Sequence, residues 1–311
     1  MTDVGTGRTN RRSRERPVRA INSWLIGAAV AVGTFQLFLL PLFLLPHDPV
    51  WGWSLLAPVL LTTPFWSLIH EAVHGSLIRE REVNDRCGRV LALLYGSPFA
   101  MLKIGHLLHH RYSRTRERAE IYDPAKSSWP KSAPGYYVRL CGGLYLLELA
   151  ALPLAALPVA AIRGVGRRVD APDSVAGPLF ERIAQVKVLR QFRADAAAIV
   201  LLYTAAFLAY GWMLVAALGG RAFVISLSDN AYHYGTELDA PLEALNLRLP
   251  RVLEQAALSF NLHGVHHRHP GLRWYELRAE FLHENGHYDL GWAAAAARQF
   301  RGPIELGTEP R

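Results

Sequence analysis

Thiols are scarce in this chain. Its two cysteines, Cys87 and Cys141, are too few to ligate an iron–sulfur cluster or to build a tetrahedral thiolate zinc site. A structural disulfide is not expected either, because the charge pattern places Cys87 on the reducing side of a membrane. Charged residues are thin as well: Asp, Glu, Lys and Arg make up 19% of the chain, against roughly 25% in ordinary soluble domains. There is no Gly-rich nucleotide-binding motif, no haem-binding domain and no internal repeat. Low-complexity sequence is confined to the alanines at 293–297, which favour helix. Electrons for any redox chemistry must therefore come from outside the chain.

What is present is long apolar sequence. Residues 21–46, 49–69 and 196–220 carry no Asp, Glu, Lys or Arg over 26, 21 and 25 positions. A helix needs about 20 apolar residues to cross the hydrocarbon layer. The first run is too long for the apolar part of a cleaved signal peptide and lacks a clear cleavage site. An all-α integral membrane protein with about four transmembrane helices is expected, with a cytoplasmic helical cap.

The net charge of +8 would suit nucleic acid, but its placement argues for topology. Residues 1–20 hold six Arg and two acidic residues directly before the first span, as a disordered cytoplasmic arm would. Residues 76–136 hold eleven Lys or Arg and belong on the same side. Residues 88–102 are too short to span comfortably and read as a helix lying on or dipping into the membrane. Residues 140–162 admit two models. As a fourth span they would send the seven basic residues of 163–193 outward, against the positive-inside tendency. As a Pro-broken re-entrant hairpin they would require 196–228 to make two passes around Gly211-Trp212. The simple four-span version is slightly preferred. The membrane domain is set at 21–275, with a cytoplasmic tail at 276–311.

Histidine is the residue in excess. Ten of the 13 fall into four clusters: His70 and His74 in "HEAVHG"; His106, His109 and His110 in "HLLHHR"; His233 in "DNAYHYGT"; His263, His266, His267 and His269 in "HGVHHRH". On a helix, positions three or four apart share a face, so each box can aim two or three imidazoles at one point. Imidazole suits iron, copper, nickel and zinc, and histidines at a membrane surface are costly to desolvate unless paired or metal-bound. Nine imidazoles are too many for one ion and enough for two. Glu71 is a candidate to orient a ligand imidazole through its free N–H. His269 reads as supporting rather than ligating, Asn261 as an N-terminal cap of the third box, and His283 and His287 as surface residues.

The spacings H-x-x-x-H, H-x-x-H-H and H-x-x-H-H resemble the histidine boxes of the integral-membrane fatty acid desaturase superfamily, which also contains alkane hydroxylases and carotenoid ketolases. The resemblance covers roughly residues 20–275. It implies a bacterial inner-membrane enzyme whose two non-haem Fe ions activate O2, held by His70, His74, His106, His109, His110, His233, His263, His266 and His267. "DNAYHYGT" is similar to the motif that supplies a further ligand before the third box. The family often has Asn four residues before that histidine; here Asp229 stands there and Asn230 follows, which leaves open which of them serves a metal-bound water. The expected reaction is desaturation of an acyl chain carried by lipid, carrier protein or CoA. Electrons would come from a ferredoxin or rubredoxin with its reductase, docking on the basic stretch Lys103, Arg111, Arg114, Arg116 and Arg118. Hydroxylation or ketolation by the same superfamily remains the alternative, and a non-catalytic membrane metal-binding protein a second one.

Overall fold

A computed structural model describes residues 6–172 and 174–308, with backbone alone for 6–19. Helix α1 (Thr6–Thr34) continues through a π-helical stretch, Phe35–Leu44. Pro41 lies in that stretch, where its missing N–H cannot support regular α-helical bonding. The arm expected to be disordered is therefore helical from Thr6, since extending a helix that the apolar run has already nucleated costs little. Residues 1–5 of that arm lie outside the described residues.

The chain returns through Pro49–Leu61 and α2 (Thr62–His74). Helices α3 (Arg81–Tyr95) and α4 (Phe99–Tyr112) are bent by 103° at the intervening turn, so the dipping helix expected at 88–102 is instead the meeting of two helices. Short helices α5 (Trp129–Val138) and α6 (Leu144–Ala150) follow, then α7 (Val159–Val169) and α8 (Ala176–Ile183). Two long apolar helices, α9 (Val186–Tyr210) and α10 (Trp212–Ala231), come next. Gly211 alone joins them, at φ 55°, a left-handed conformation that favours glycine.

Among the described residues, five helical stretches are long and apolar enough to cross a membrane: Ala20–Leu44, Pro49–His74, Trp129–Ala156, Val186–Tyr210 and Trp212–Ala231. Contacts show that the third turns back. At its near side Arg139 is 3.6 Å from Glu117, in the loop after the second box. At its far end the carbonyls of Ala155 and Leu157 accept from Arg193, two turns into α9, whose start lies across the hairpin from Gly211. Beyond it, Arg116 pairs with Asp170 at 2.9 Å. Residues 140–162 thus enter and leave on the face that carries the histidines, with breaks at Gly142 (φ 140°) and around Pro153 and Pro158. This corrects the preferred four-span assignment: 196–228 is a two-pass hairpin, and the basic residues of 163–193 return to the histidine face. Four passes remain, and the sides of Leu60, Leu208 and Trp212 that face outward from them are the apolar surface lipid requires.

The last part is α11 (Arg251–Ala256), α12 (His263–Arg268), α13 (Trp274–His283) and α14 (Trp292–Arg298). Among the described residues, β structure is limited to two-residue parallel pairs, Ile121–Tyr122 with Ile304–Glu305 and Leu247–Arg248 with Leu290–Gly291, and to the single bridges Ser113–Glu117 and Asn246–Leu262. Both two-residue pairs tie the C-terminal segment back to the body. Tyr136 and Tyr234 also donate to the carbonyls of Gln299 and Gly302. Position 275 is accordingly no boundary: α13 runs across it, and residues 276–308 form part of the cap rather than a tail.

Candidate metal centre

Each histidine box sits at the end of a helix. His70 and His74 occupy the last turns of α2, which Gly75 stops in the left-handed region at φ 74°. His106, His109 and His110 end α4, and His233 follows the last turn of α10. His263, His266 and His267 lie on α12, whose start is held by Asn246: its Oδ1 accepts from the Val265 N–H at 3.1 Å. Asn261 does not cap this helix, contrary to expectation. It is buried and donates to the Leu247 carbonyl and to Glu254.

The nine imidazoles gather into two groups. His70, His74, His106, His110 and His266 each offer a nitrogen, and these nitrogens lie within 4.8 Å of one another; His109, His233, His263 and His267 do the same. The expectation that one box aims at one point holds only for the first. In the second box the i, i+4 pair His106/His110 joins the first group and His109 the second. In the third, His263/His267 join the second group and His266 the first. Neighbouring residues on a helix diverge by about 100°, so an H-x-x-H-H box necessarily splits between two centres.

Within the first group the Nε2 atoms of His74 and His106 are 2.9 Å apart, those of His106 and His110 3.0 Å, and those of His110 and His266 3.1 Å. In the second, His109 Nε2 is 3.1 Å from that of His233 and 3.3 Å from that of His267. Each such pair can share one proton at most, while His70 Nε2 and both nitrogens of His263 are buried with no partner. Burial, aided by the neighbouring imidazoles, holds His233, His263 and His266 well below the usual histidine range and lowers His267 to about 3. His109 is the exception, raised by the Glu117 carboxylate beside it; imidazole nitrogens that converge in this way fit two transition-metal ions. The all-nitrogen donor set does not fit a thiolate zinc site.

The carboxylate that meets one of the converging imidazoles is Glu117, which the sequence reading missed. Its Oε2 lies 2.7 Å from His109 Nδ1. Burial pushes the Glu117 carboxyl up, but His109 and Arg139 outweigh this and hold it at about 2. Within the run "RTRERAE" it looks like one more solvated charge, and its distance of eight positions from His109 gives no helical signal. The expected partners lie elsewhere. Glu71 accepts from Ser76 Oγ at 2.8 Å and the Trp274 N–H at 3.3 Å, joining α2 to α13 and touching no imidazole nitrogen. His269 is 43% exposed and pairs with Glu284 outside both groups. His283 and His287 are exposed, as expected.

Asp229 and Asn230 line a polar cavity of about 30 Å³ with His109, His233, Glu117 and Arg139, large enough for a water. Asn230 is engaged, donating to the Ser226 carbonyl at 2.8 Å and accepting from Arg139 Nε at 3.4 Å. On the membrane side an apolar cavity of about 190 Å³ opens between α1 and α2, lined by Val32, Leu61, Phe65, Leu68 and Leu258. Trp66 stands between it and the histidines, its ring centroid 6.3 Å from that of Tyr95, which lines the cavity, and 6.4 Å from that of His106.

The basic stretch near the second box is more committed than its sequence suggests. Arg114 is 1% exposed and paired with Glu120, Lys103 is paired with Asp85 at 2.8 Å, and Arg116 with Asp170. Arg111 is exposed.

Comparison with known proteins agrees with this geometry. An sn-1 oleoyl-lipid 12-desaturase of Arthrospira platensis is 34% identical over 95 residues, which is 30% of this chain and only 25% of that protein. No solved structure matches. The fatty acid desaturase family model matches residues 49–292, a stretch that holds all nine converging histidines, and the chain therefore belongs to the fatty acid desaturase family.

Proposed function

We propose that the protein is an O2-dependent desaturase of acyl chains, with two Fe ions in the two histidine groups. The observation that carries this reading is the split of nine imidazoles into adjacent groups of five and four, one tryptophan away from an apolar cavity within the membrane. Iron held there supplies O2 activation sufficient to take hydrogen from an unactivated C–H bond.

The chain's own residues do the rest. α2, α4, α10 and α12 fix the imidazoles from four directions, and Glu117 holds His109 in the tautomer that presents Nε2 to the ion. Asp229, free of the contacts that occupy Asn230, holds a water in the polar cavity beside His109 and His233. The apolar cavity excludes bulk water and places one stretch of methylenes below Trp66. Removing two neighbouring hydrogens with one O2 also consumes two electrons and two protons, giving an alkene and two waters. The electrons come from a ferredoxin or rubredoxin type donor with its reductase, docking on the histidine face near exposed Arg111, where complementary charge speeds encounter.

By the positive-inside tendency the histidine face is cytoplasmic, in a bacterial inner membrane. Reporter fusions at residues 80, 130, 175, 235 and 285 should all report one side and a fusion near 48 the other. A fusion at 175 that sides with 48 would overturn the re-entrant assignment. The reaction itself is tested by expressing the protein in a bacterium of defined lipid content and comparing lipid extracts by mass spectrometry. An acyl product lighter by two mass units is expected. A gain of sixteen, with no loss of two, would replace desaturation by hydroxylation.

A further inference from the structure

Arg221 is a charged residue in the middle of a membrane pass, and nothing in the metal centre uses it. Ten residues of α10 separate it from Ala231, placing it about 15 Å from the histidine end of that helix. Its guanidinium lies 4.8 Å over the Tyr95 ring and donates to the Tyr95 carbonyl. The neighbouring hydroxyls accept from it while donating onward, Tyr203 to the Leu94 carbonyl at 2.8 Å and Tyr145 to the Tyr95 carbonyl at 3.1 Å. Among the described residues it forms no ion pair with a carboxylate; Glu148, on α6 beside Tyr145, is hydrogen-bonded to Ser97 instead. A half-buried cation in a membrane pass, satisfied only by neutral dipoles, is expensive, and charged groups within membrane spans mark ligand sites by default.

The surroundings point to what would complete it. Arg221 lines the apolar cavity, and so do Gln36 and Tyr95. The Tyr95 hydroxyl is buried without a partner. An otherwise apolar cavity in which a guanidinium and an unpaired hydroxyl are the main polar features matches a long apolar chain that ends in acceptor oxygen. We propose that this cavity binds its acyl ligand end-on, with a terminal carboxylate at Arg221 and Tyr95 and the methylenes running toward Trp66 and the histidines. The inference deepens the desaturase reading and rests on it for the identity of the ligand as substrate. Arg221 then acts as a specificity-determining residue: it sets the distance between the polar end of the chain and the carbon nearest the metal centre.

The test is equilibrium binding of radiolabelled hexadecanoic acid, 1-hexadecanol and hexadecane to the full-length protein in nanodiscs, corrected for protein-free discs. The wild-type protein should prefer hexadecanoate over hexadecane by about tenfold or more, as a charge-assisted hydrogen bond warrants, with the alcohol between them. Arg221→Met should bring the acid and the alkane to parity, and Arg221→Lys should keep most of the preference. Equal binding of acid and alkane by the wild-type protein would overturn the proposal without any variant. So would an unchanged preference in a folded Arg221→Met protein. Failure of the desaturation assay with the binding preference intact would instead reject the reaction and leave the end-group site standing.

Discussion

Replacing His266 by alanine should lower bound iron from about two equivalents to about one and reduce turnover by more than ~100-fold, the upper end of what loss of a supporting residue alone costs. His266 belongs to the group of five, and its Nε2 is 3.1 Å from that of His110. His263→Ala should give the same iron deficit by emptying the other group, to which His263 contributes a buried nitrogen with no other partner. Combining the two should remove nearly all the iron. His269→Ala supplies the contrast, since His269 faces Glu284 at the surface: iron content and turnover should stay at wild-type levels. The measurement is elemental analysis of protein that elutes as a single detergent-solubilised species, alongside turnover with saturating donor. A fully metallated His266→Ala protein would refute the grouping.

Reversing the charge of Arg114 should unfold the cap. Arg114 is buried, paired with Glu120, and donates to the Thr236 carbonyl at 2.7 Å and the Glu237 carbonyl at 3.4 Å. It thereby pins the loop after the second box to the turn that follows His233. Arg114→Glu places a buried negative charge against Glu120 and strands two carbonyls, a loss of roughly 3–5 kcal/mol for a broken buried pair. A fall of many degrees in Tm, or failure to recover folded protein, is expected by thermal unfolding in mild detergent. Arg111→Glu, on the exposed face, should move stability by no more than about 0.5 kcal/mol while slowing turnover at limiting donor and low salt. Wild-type stability in Arg114→Glu would show that the bridge does not hold the cap. A reversal that includes Arg114 thus cannot report on donor docking.

The parts of this structure that were legible in the sequence are those set by local periodicity. Helical spacing brings His70 to His74, His106 to His110 and His263 to His267. The splitting of the second and third boxes was also available in principle, because adjacent helical positions cannot point alike. What was not legible depends on contacts between distant parts of the chain. Charge counting left residues 140–162 ambiguous, and the pairing of Arg116 with Asp170, 54 positions away, decides the side. Glu117 is hidden among arginines until the fold sets it against His109. The boundary placed at 275 failed for a similar reason: Leu277 and Phe281 of α13 pack on Val265 of the third box, so polar composition there marks a cap and not a tail.

The most direct test is the metal content of the purified wild-type protein, measured by elemental analysis after gentle detergent extraction and referred to protein by amino-acid analysis. Nine imidazoles in groups of five and four predict iron well above zinc, approaching about two equivalents per chain. One equivalent of zinc with no iron would contradict the account.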